Sequence, residues 1–127
     1  MLGNEGQAST TTLMLSPVSA ANTAAATSSY IDCRGAEGDV VVIVQTGALT
    51  GSLTWTIEHA SDSGGTGSAA ITPNEGAFSA GAANQTQKRT VNASAIQGYL
   101  RVVGTIVTGP VLVGASVTFR PKKTYSD

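Results

Sequence analysis

The chain has 127 residues and a formal net charge of −1, a length that predicts one domain. Charged residues make up 12% of the sequence and aromatic residues 5%, against 41% hydrophobic residues. This balance predicts a core of Val, Ile, Leu and Ala, and it argues against a long helical bundle and against a charged, disordered chain. One His and one Cys leave few groups for acid–base or nucleophilic chemistry near neutral pH, so we expect a non-enzymatic protein without a cofactor.

The composition of residues 1–29 predicts an extended N-terminal arm. The segment is rich in Ala, Ser, Thr and Asn, and it offers little apolar surface to offset the entropy of ordering. Its apolar positions include Leu13, Leu15 and Val18, which we expect on one side of an extended strand. These three side chains would anchor the arm on a sheet, either that of its own domain or that of a neighbouring subunit.

The pattern of strands and turns in residues 30–127 predicts a single β-sandwich domain. Residues 40–44 form an uninterrupted β-branched run, which is typical of a strand covered on both faces. The next strand alternates cleanly, with Leu53, Trp55 and Ile57 on one face, so Trp55 is expected in the core. Glycines at positions 47 and 51 indicate a hairpin loop between these two strands.

Two further strands are predicted near the end of the chain, at residues 98–107 and 111–120. The intervening Thr108-Gly109-Pro110 is a turn signal, so the two strands are expected to form a terminal hairpin. Together with weaker candidates this gives about seven or eight strands, hence an all-β sandwich of jelly-roll or immunoglobulin-like topology. The single Cys33 excludes the antibody type of immunoglobulin domain.

Glu58, His59 and Asp62 are the only local group of a histidine with carboxylates. They stand at the end of an alternating strand beside a Gly/Ser loop, a position that favours an exposed histidine at the rim of the sandwich. No serine lies in the sequence context of a nucleophile elbow. We therefore expect no catalytic residue.

A second acidic group consists of Asp32, Glu37 and Asp39. Their oxygens would suit a hard cation, but the spacing does not match an EF-hand loop. Arg34 is placed to pair with one of the carboxylates instead. We expect a turn before a buried strand and no metal site.

The charges divide by sign along the chain. Residues 1–87 hold seven acidic residues and one basic residue, whereas residues 88–127 hold six basic residues and one acidic residue. Nucleic-acid binding is disfavoured because the net charge is slightly negative and few aromatic rings are present to stack on bases. We expect acidic and basic edges that meet between protein subunits, with interface charges at Lys88, Arg89, Arg101, Arg120, Lys122 and Lys123.

Several segments resemble small structural proteins of tailed bacteriophages. An Asp-x-x-Gly turn, Asp32 to Gly35, precedes the hydrophobic strand, and the strand containing Thr54-Trp55-Thr56 leads into a Ser/Asp/Gly loop. A Tyr-Leu-Arg-Val strand beginning at Tyr99 comes late in the chain. The resemblance covers residues 30–119, and residues 1–29 fall outside it.

This resemblance implies a virion component, for which we expect a capsid decoration (cement) protein. Such a protein binds the outer surface of the phage head, bridges subunits of the major capsid protein and stabilises the shell. We expect a homotrimer without direct nucleic-acid contact or a membrane partner, made in the host bacterial cytoplasm because no signal-peptide pattern is present. A head-closure (neck) or tail structural protein is an alternative. An alternative of a different class is a carbohydrate-binding module that uses Trp55, Tyr99 or Tyr125 as a sugar platform.

Overall fold

A computed structural model describes residues 10–49 and 51–121 of the chain. Within these residues no helix is long and apolar enough to cross a membrane. A single 3-10 turn, Ala93–Ala95, is the helical element of the described part. The strands are β1 (Thr10–Ala20), β2 (Ile31–Asp32), β3 (Ala36–Leu49), β4 (Ser52–Ala60), β5 (Ala69–Ile71), β6 (Gln85–Asn92), β7 (Tyr99–Thr108) and β8 (Val111–Pro121).

The described strands form two antiparallel sheets of four strands each, which confirms the predicted all-β sandwich. Sheet I has the order β1-β8-β3-β6, and sheet II has the order β2-β7-β4-β5. The pairs β1/β8, β2/β7, β3/β6 and β4/β5 are nested like one long antiparallel hairpin, and β3/β8 and β4/β7 contacts complete the sheets. This double Greek key is a jelly roll, and of the two predicted topologies it is the one observed.

Both predicted hairpins are wrong, because the strands that flank each turn lie in different sheets. β7 belongs to sheet II and β8 to sheet I, and β3 and β4 are likewise divided between the sheets. The two corners are packed together, because Gly51 lies against the backbone of Thr108 with no space for a Cβ atom. Glycine and proline serve a corner between sheets as well as a hairpin, so turn residues alone do not tell which sheet the next strand joins.

The core lies between the sheets and is aliphatic, as predicted. Trp55 is its largest ring, and with 2% of its surface exposed it is confirmed as a core residue. Its ring packs against Gly104, where an added Cβ would lie 3.1 Å from a ring carbon. Among the described residues no acceptor reaches the Trp55 indole N–H. Other fully buried side chains are Leu53, Ile57, Leu100, Val40, Val42, Val44, Val91, Val102, Val111 and Val117.

Part of the predicted arm belongs to the sandwich. Thr10–Ala20 is strand β1 at the edge of sheet I, so the predicted pairing is with the chain's own sheet. The chain then follows β7, where the N–H of Gly104 donates to the Ala26 carbonyl and the N–H of Ser28 donates to the Val102 carbonyl. The composition of residues 1–29 did not predict this ordered structure, because the segment has few large apolar side chains. Backbone hydrogen bonds and the fully buried Ala20 stabilise it instead. Residues 1–9 lie outside the described residues.

The β5–β6 connection, residues 72–84, closes one side of the sandwich. Phe78 enters the core, and the side-chain amide of Gln87 bonds both the N–H and the carbonyl of Ser79. The carboxylate of Glu75 accepts hydrogen bonds from the N–H and the hydroxyl of Thr90, at 2.8 and 2.7 Å. The connection therefore covers much of the outer edge of β6.

Candidate functional site

The outer face of sheet I is the candidate functional surface of this sandwich. In β3 the alternate residues Val40, Val42 and Val44 are buried between the sheets, whereas Val41 and Ile43 point outward and are half-buried. Among the described residues nothing covers these outward side chains except their neighbours in the sheet. The prediction that this strand is covered on both faces is therefore wrong for the chain by itself.

Register shows which residues share this face. Leu13, Ser116, Ile43 and Lys88 stand side by side across β1, β8, β3 and β6. In the next row Thr11, Thr118, Val41 and Thr90 are neighbours. Leu13 is 56% exposed, and Leu112, farther along β8, is 45% exposed. We call the set Leu13, Val41, Ile43 and Leu112 the aliphatic face.

The predicted anchors on β1 do not all lie on one side. The register shifts between Leu13 and Leu15 and again between Leu15 and Val18, so β1 has two irregularities. Leu13 consequently points outward, Leu15 packs partly against the core, and Val18 is 37% exposed. Met14, which the prediction passed over, is the buried residue here. Bulges break the alternation on which the prediction depended.

A groove of about 500 Å³ opens on sheet I beside Val18. Gly47 and Gly114 contribute to it from β3 and β8, and its other lining residues include Pro17, Leu112 and Thr86. None of the lining residues is charged. The groove combines aliphatic surface with hydroxyl and amide groups, which suits uncharged, extended polypeptide.

The outer face of sheet II is different, because its charges are paired with one another. Arg101 bonds Glu58 at 2.6 Å and lies 4.7 Å from the ring centre of Tyr30. Arg34 bonds Asp32 through two guanidinium nitrogens, at 3.0 and 2.9 Å. These contacts neutralise the outer face of sheet II, so neither arginine presents an unpaired charge to a ligand.

Of the three rings predicted as a sugar platform, Trp55 is not accessible. Trp55 lies in the core, and the guanidinium of Arg34 lies 5.2 Å from the ring centre of Tyr99. Tyr125 lies outside the described residues. Sugar-binding platforms need an accessible aromatic face. A carbohydrate-binding module that stacks a sugar on Trp55 is therefore excluded.

The predicted interface charges are not gathered into one patch. Lys88 is exposed on the outer face of sheet I, and Arg101 is on the outer face of sheet II. Arg89 is half-buried, donates to the carbonyl of Gly76 and lies 5.2 Å from the ring centre of Phe78. Arg120 stands opposite Glu37 in the β3/β8 pairing. Lys122 and Lys123 lie outside the described residues.

Nested strand pairing explains this dispersal. It sets the acidic first part of the chain against the basic last part, as in the Glu58–Arg101 ion pair and the Glu37/Arg120 register. Opposite charges thus meet inside one molecule. Pairing within one molecule therefore explains part of the division of charge along the sequence without a second subunit.

The local group of a histidine with carboxylates is held by three separate sets of partners. His59 Nδ1 accepts the N–H of Gln97 at 3.2 Å, and Glu58 pairs with Arg101. Hydrogen bonds from the side chain and the N–H of Thr66 lower the pKa of Asp62. The carboxylates are thus engaged in structural contacts.

Asp32, Glu37 and Asp39 were the acidic group considered for a cation. Hydrogen bonds from the side chain and the N–H of Arg34 lower the pKa of Asp32. Across residues 10–49 and 51–121, no three His, Cys, Asp or Glu side chains are close enough to hold a metal ion.

Comparisons with known proteins do not assign this chain to a family. A scan against protein-family models and a search of curated proteins each found no match.

Proposed function

We propose that this chain is a non-enzymatic capsid decoration (cement) protein of a tailed bacteriophage. It binds the outer surface of the head, bridges neighbouring subunits of the major capsid protein and stabilises the shell, and it acts as a homotrimer. Its place is the outside of the virion. The fold alone does not select this function, because jelly rolls occur in capsid proteins, lectins and enzymes alike.

The uncovered outer face of sheet I supports the proposal most directly. Residues 40–44 have the composition of a strand covered on both faces, yet the described chain covers only one. A second protein would complete the burial. The exposed Leu13 and Leu112 flank this surface. In the two rows described above, the side chains other than those of the aliphatic face carry hydroxyl groups, apart from Lys88 at the end of one row, so little charge would be desolvated on docking.

Many weak contacts are enough for a cement protein. Each copy needs to bury only a modest area, because copies that bridge neighbouring capsid subunits act together and oppose expansion of the shell. The aliphatic face would supply the apolar centre of such a contact. Lys88 would lie at its rim.

The decisive measurement is made on purified virions of the phage that encodes this chain. Immuno-electron microscopy is expected to place the chain on the outside of the head, and quantitative mass spectrometry is expected to find many copies per head. A single ring of copies at the neck, or a position along the tail, would favour the head-closure or tail alternative and overturn the proposal.

A matched pair of variants tests the surface. Leu13→Ser removes an exposed leucine from the aliphatic face, and Val107→Ser removes an aliphatic side chain that is 80% exposed on β7 in sheet II. Losing the burial of one leucine costs about 1.5–3 kcal/mol, so we expect binding of Leu13→Ser to undecorated heads to weaken about tenfold or more. Val107→Ser should bind normally. Equal binding by both variants would exclude the aliphatic face.

A further inference from the structure

We propose that the groove on sheet I binds residues 1–9 of a second copy of this chain and so links copies head to tail. The proposal does not depend on a capsid, because it concerns the contact between copies of this chain alone. It assigns an acceptor surface, the groove, and a donor segment that precedes β1.

The groove suits an extended peptide. Gly114 has no side chain, and the nearest atoms to an ideal Cβ there are 3.7 Å away, so a guest backbone is able to approach β8 closely at this point. At Gly47 the side chain of Leu112 lies against the strand instead. Gln45, Asn84 and Thr86 supply amide and hydroxyl groups that are able to bond the guest's N–H and carbonyl groups. Leu112 adds aliphatic contact.

Chemistry favours residues 1–9 as the guest. Their sequence, Met-Leu-Gly-Asn-Glu-Gly-Gln-Ala-Ser, carries one charged side chain, Glu5, and it is otherwise small, amide-bearing or aliphatic. The other end of the chain fits less well, because residues 122–127 include Lys122, Lys123 and Asp127. Burying three charges in an uncharged groove would be costly.

The length of residues 1–9 indicates whether they fill the groove of their own chain or that of a second copy. The donor segment ends at Thr10, which pairs with Phe119, whereas the groove lies near Val18, which pairs with Val113. On β8 six residues separate the two points, from Phe119 to Val113, which is about 20 Å at 3.3 Å per residue. Nine extended residues span about 30 Å, and reversing direction at Thr10 uses several of them. Too little chain would remain to fill its own groove, whereas the groove of an adjacent copy has no such restriction.

This arrangement makes the interface heterologous. Donor and acceptor lie at opposite ends of sheet I, so each copy gives its segment to one neighbour and receives a segment from another. Such interfaces close into rings or continue as filaments. A ring of three would be the homotrimer of the proposed function.

The test measures the mass of four purified proteins by size-exclusion chromatography with light scattering. They are the full chain, the chain without residues 1–9, Gln45→Trp and Thr54→Trp. Gln45 is an exposed residue of the groove, and Thr54 is exposed on the outer face of sheet II, so the last protein controls for adding tryptophan to an exposed strand. We expect the full chain and Thr54→Trp to be oligomeric and the other two to be monomeric. Thermal unfolding confirms that each is folded.

A mixing experiment makes the test sharper. The protein without residues 1–9 keeps an open groove, and Gln45→Trp keeps the donor segment, so the two are expected to form a one-to-one dimer on mixing. A labelled peptide of residues 1–9 should bind the shortened protein and bind its Gln45→Trp version about tenfold more weakly or worse.

Three results would overturn the proposal: a monomeric full chain, an unchanged oligomer after removal of residues 1–9, or no dimer on mixing. An oligomer that persists without residues 1–9 but is lost without residues 122–127 is one form of the second result, and it would point to residues 122–127 as the linking segment. None of these results concerns binding to heads, so failure here is separable from failure of the proposed function.

Discussion

Gly104 shows how closely β7 packs against its neighbours in sheet II at the level of single atoms. An added Cβ would lie 2.9 Å from Leu53 Cδ1, 3.0 Å from the Ala26 Cβ and 3.1 Å from the Trp55 ring. Two of these atoms belong to β4, and the third belongs to the segment between β1 and β2. A glycine opposite the tryptophan is therefore a packing requirement.

Gly104→Ala is expected to destabilise the fold by about 1–3 kcal/mol, because the extra methyl group overpacks the core. Gly114→Ala is the matched control, since its Cβ would meet nothing closer than 3.7 Å. Urea unfolding followed by tryptophan fluorescence measures both. Equal stability of the two variants would contradict the packing described around Trp55.

Cys33 is expected to be unreactive in the folded protein. The thiol is buried, and burial together with the charge of Asp32 raises its pKa from 9.0 to about 11. Thiolate is the reactive form, so a disulfide reagent at pH 8 should label the native chain slowly and the urea-unfolded chain fully. Because the pKa is raised, its contribution to stability is complete below pH 9 and is lost as the pH rises toward 11. Rapid labelling of the native chain would contradict this burial.

At the scale of elements, the β5–β6 connection makes the edge of β6 sensitive to acid. Hydrogen bonds from the N–H and then the hydroxyl of Thr90 hold the pKa of Glu75 below its ordinary value of 4.5. A carboxyl with a lowered pKa stabilises the fold above its ordinary pKa, and the effect is lost as the pH falls through the lowered value. The connection should loosen under acid conditions.

Glu75→Gln isolates this effect. At pH 7 the variant is expected to unfold at a lower temperature than the wild-type chain, because the charge-assisted hydrogen bonds to Thr90 are weakened. Below pH 4.5 the difference should shrink, since the wild-type carboxyl is then progressively protonated. Calorimetry from pH 7 to pH 2 measures the difference, and a constant difference across that range would refute the role given to Glu75.

Strand β1 is expected to be required for folding, although its composition is that of an arm. Removal of residues 1–20 takes Met14 out of the core and exposes the edge of β8, and losing one large core side chain costs about 2–5 kcal/mol. Removal of residues 1–9 leaves β1 intact, so this variant should stay folded and lose only the stability that the link between copies adds. If the chain without residues 1–20 were equally stable, β1 would be dispensable.

The sequence predicts the individual elements well where alternation is regular. β4 was predicted with its buried face, and Trp55 lies where period-two alternation puts it. β1 was missed as part of the sandwich because two bulges, the proline at position 17 and small residues obscure its alternation. Bulges are set by the neighbouring strand, so a local pattern does not contain them.

At the scale of the whole molecule, composition predicts the class of fold but not its topology. Glycines at both corners suggest hairpins, and only long-range pairing shows that β3 and β4, or β7 and β8, lie in opposite sheets. The same holds for the candidate site. The apolar run at residues 40–44 indicates burial on both faces of the strand. That the outer face of sheet I is uncovered is visible only when the positions of all described strands are known.

The nested pairing also has a consequence for synthesis. Among the described strands, β8 lies between β1 and β3 in sheet I, so β1 joins this sheet only through a strand that is made much later. Contacts between residues so distant in sequence form slowly, because the chain loses the entropy of closing a long loop before the contact stabilises it. Sheet I is therefore complete only after the ribosome has finished β8, although β3 and β6 are able to pair before then. Until then β1, with its exposed Leu13, lacks its partner strand, and its two bulges and Pro17 limit its pairing with other strands.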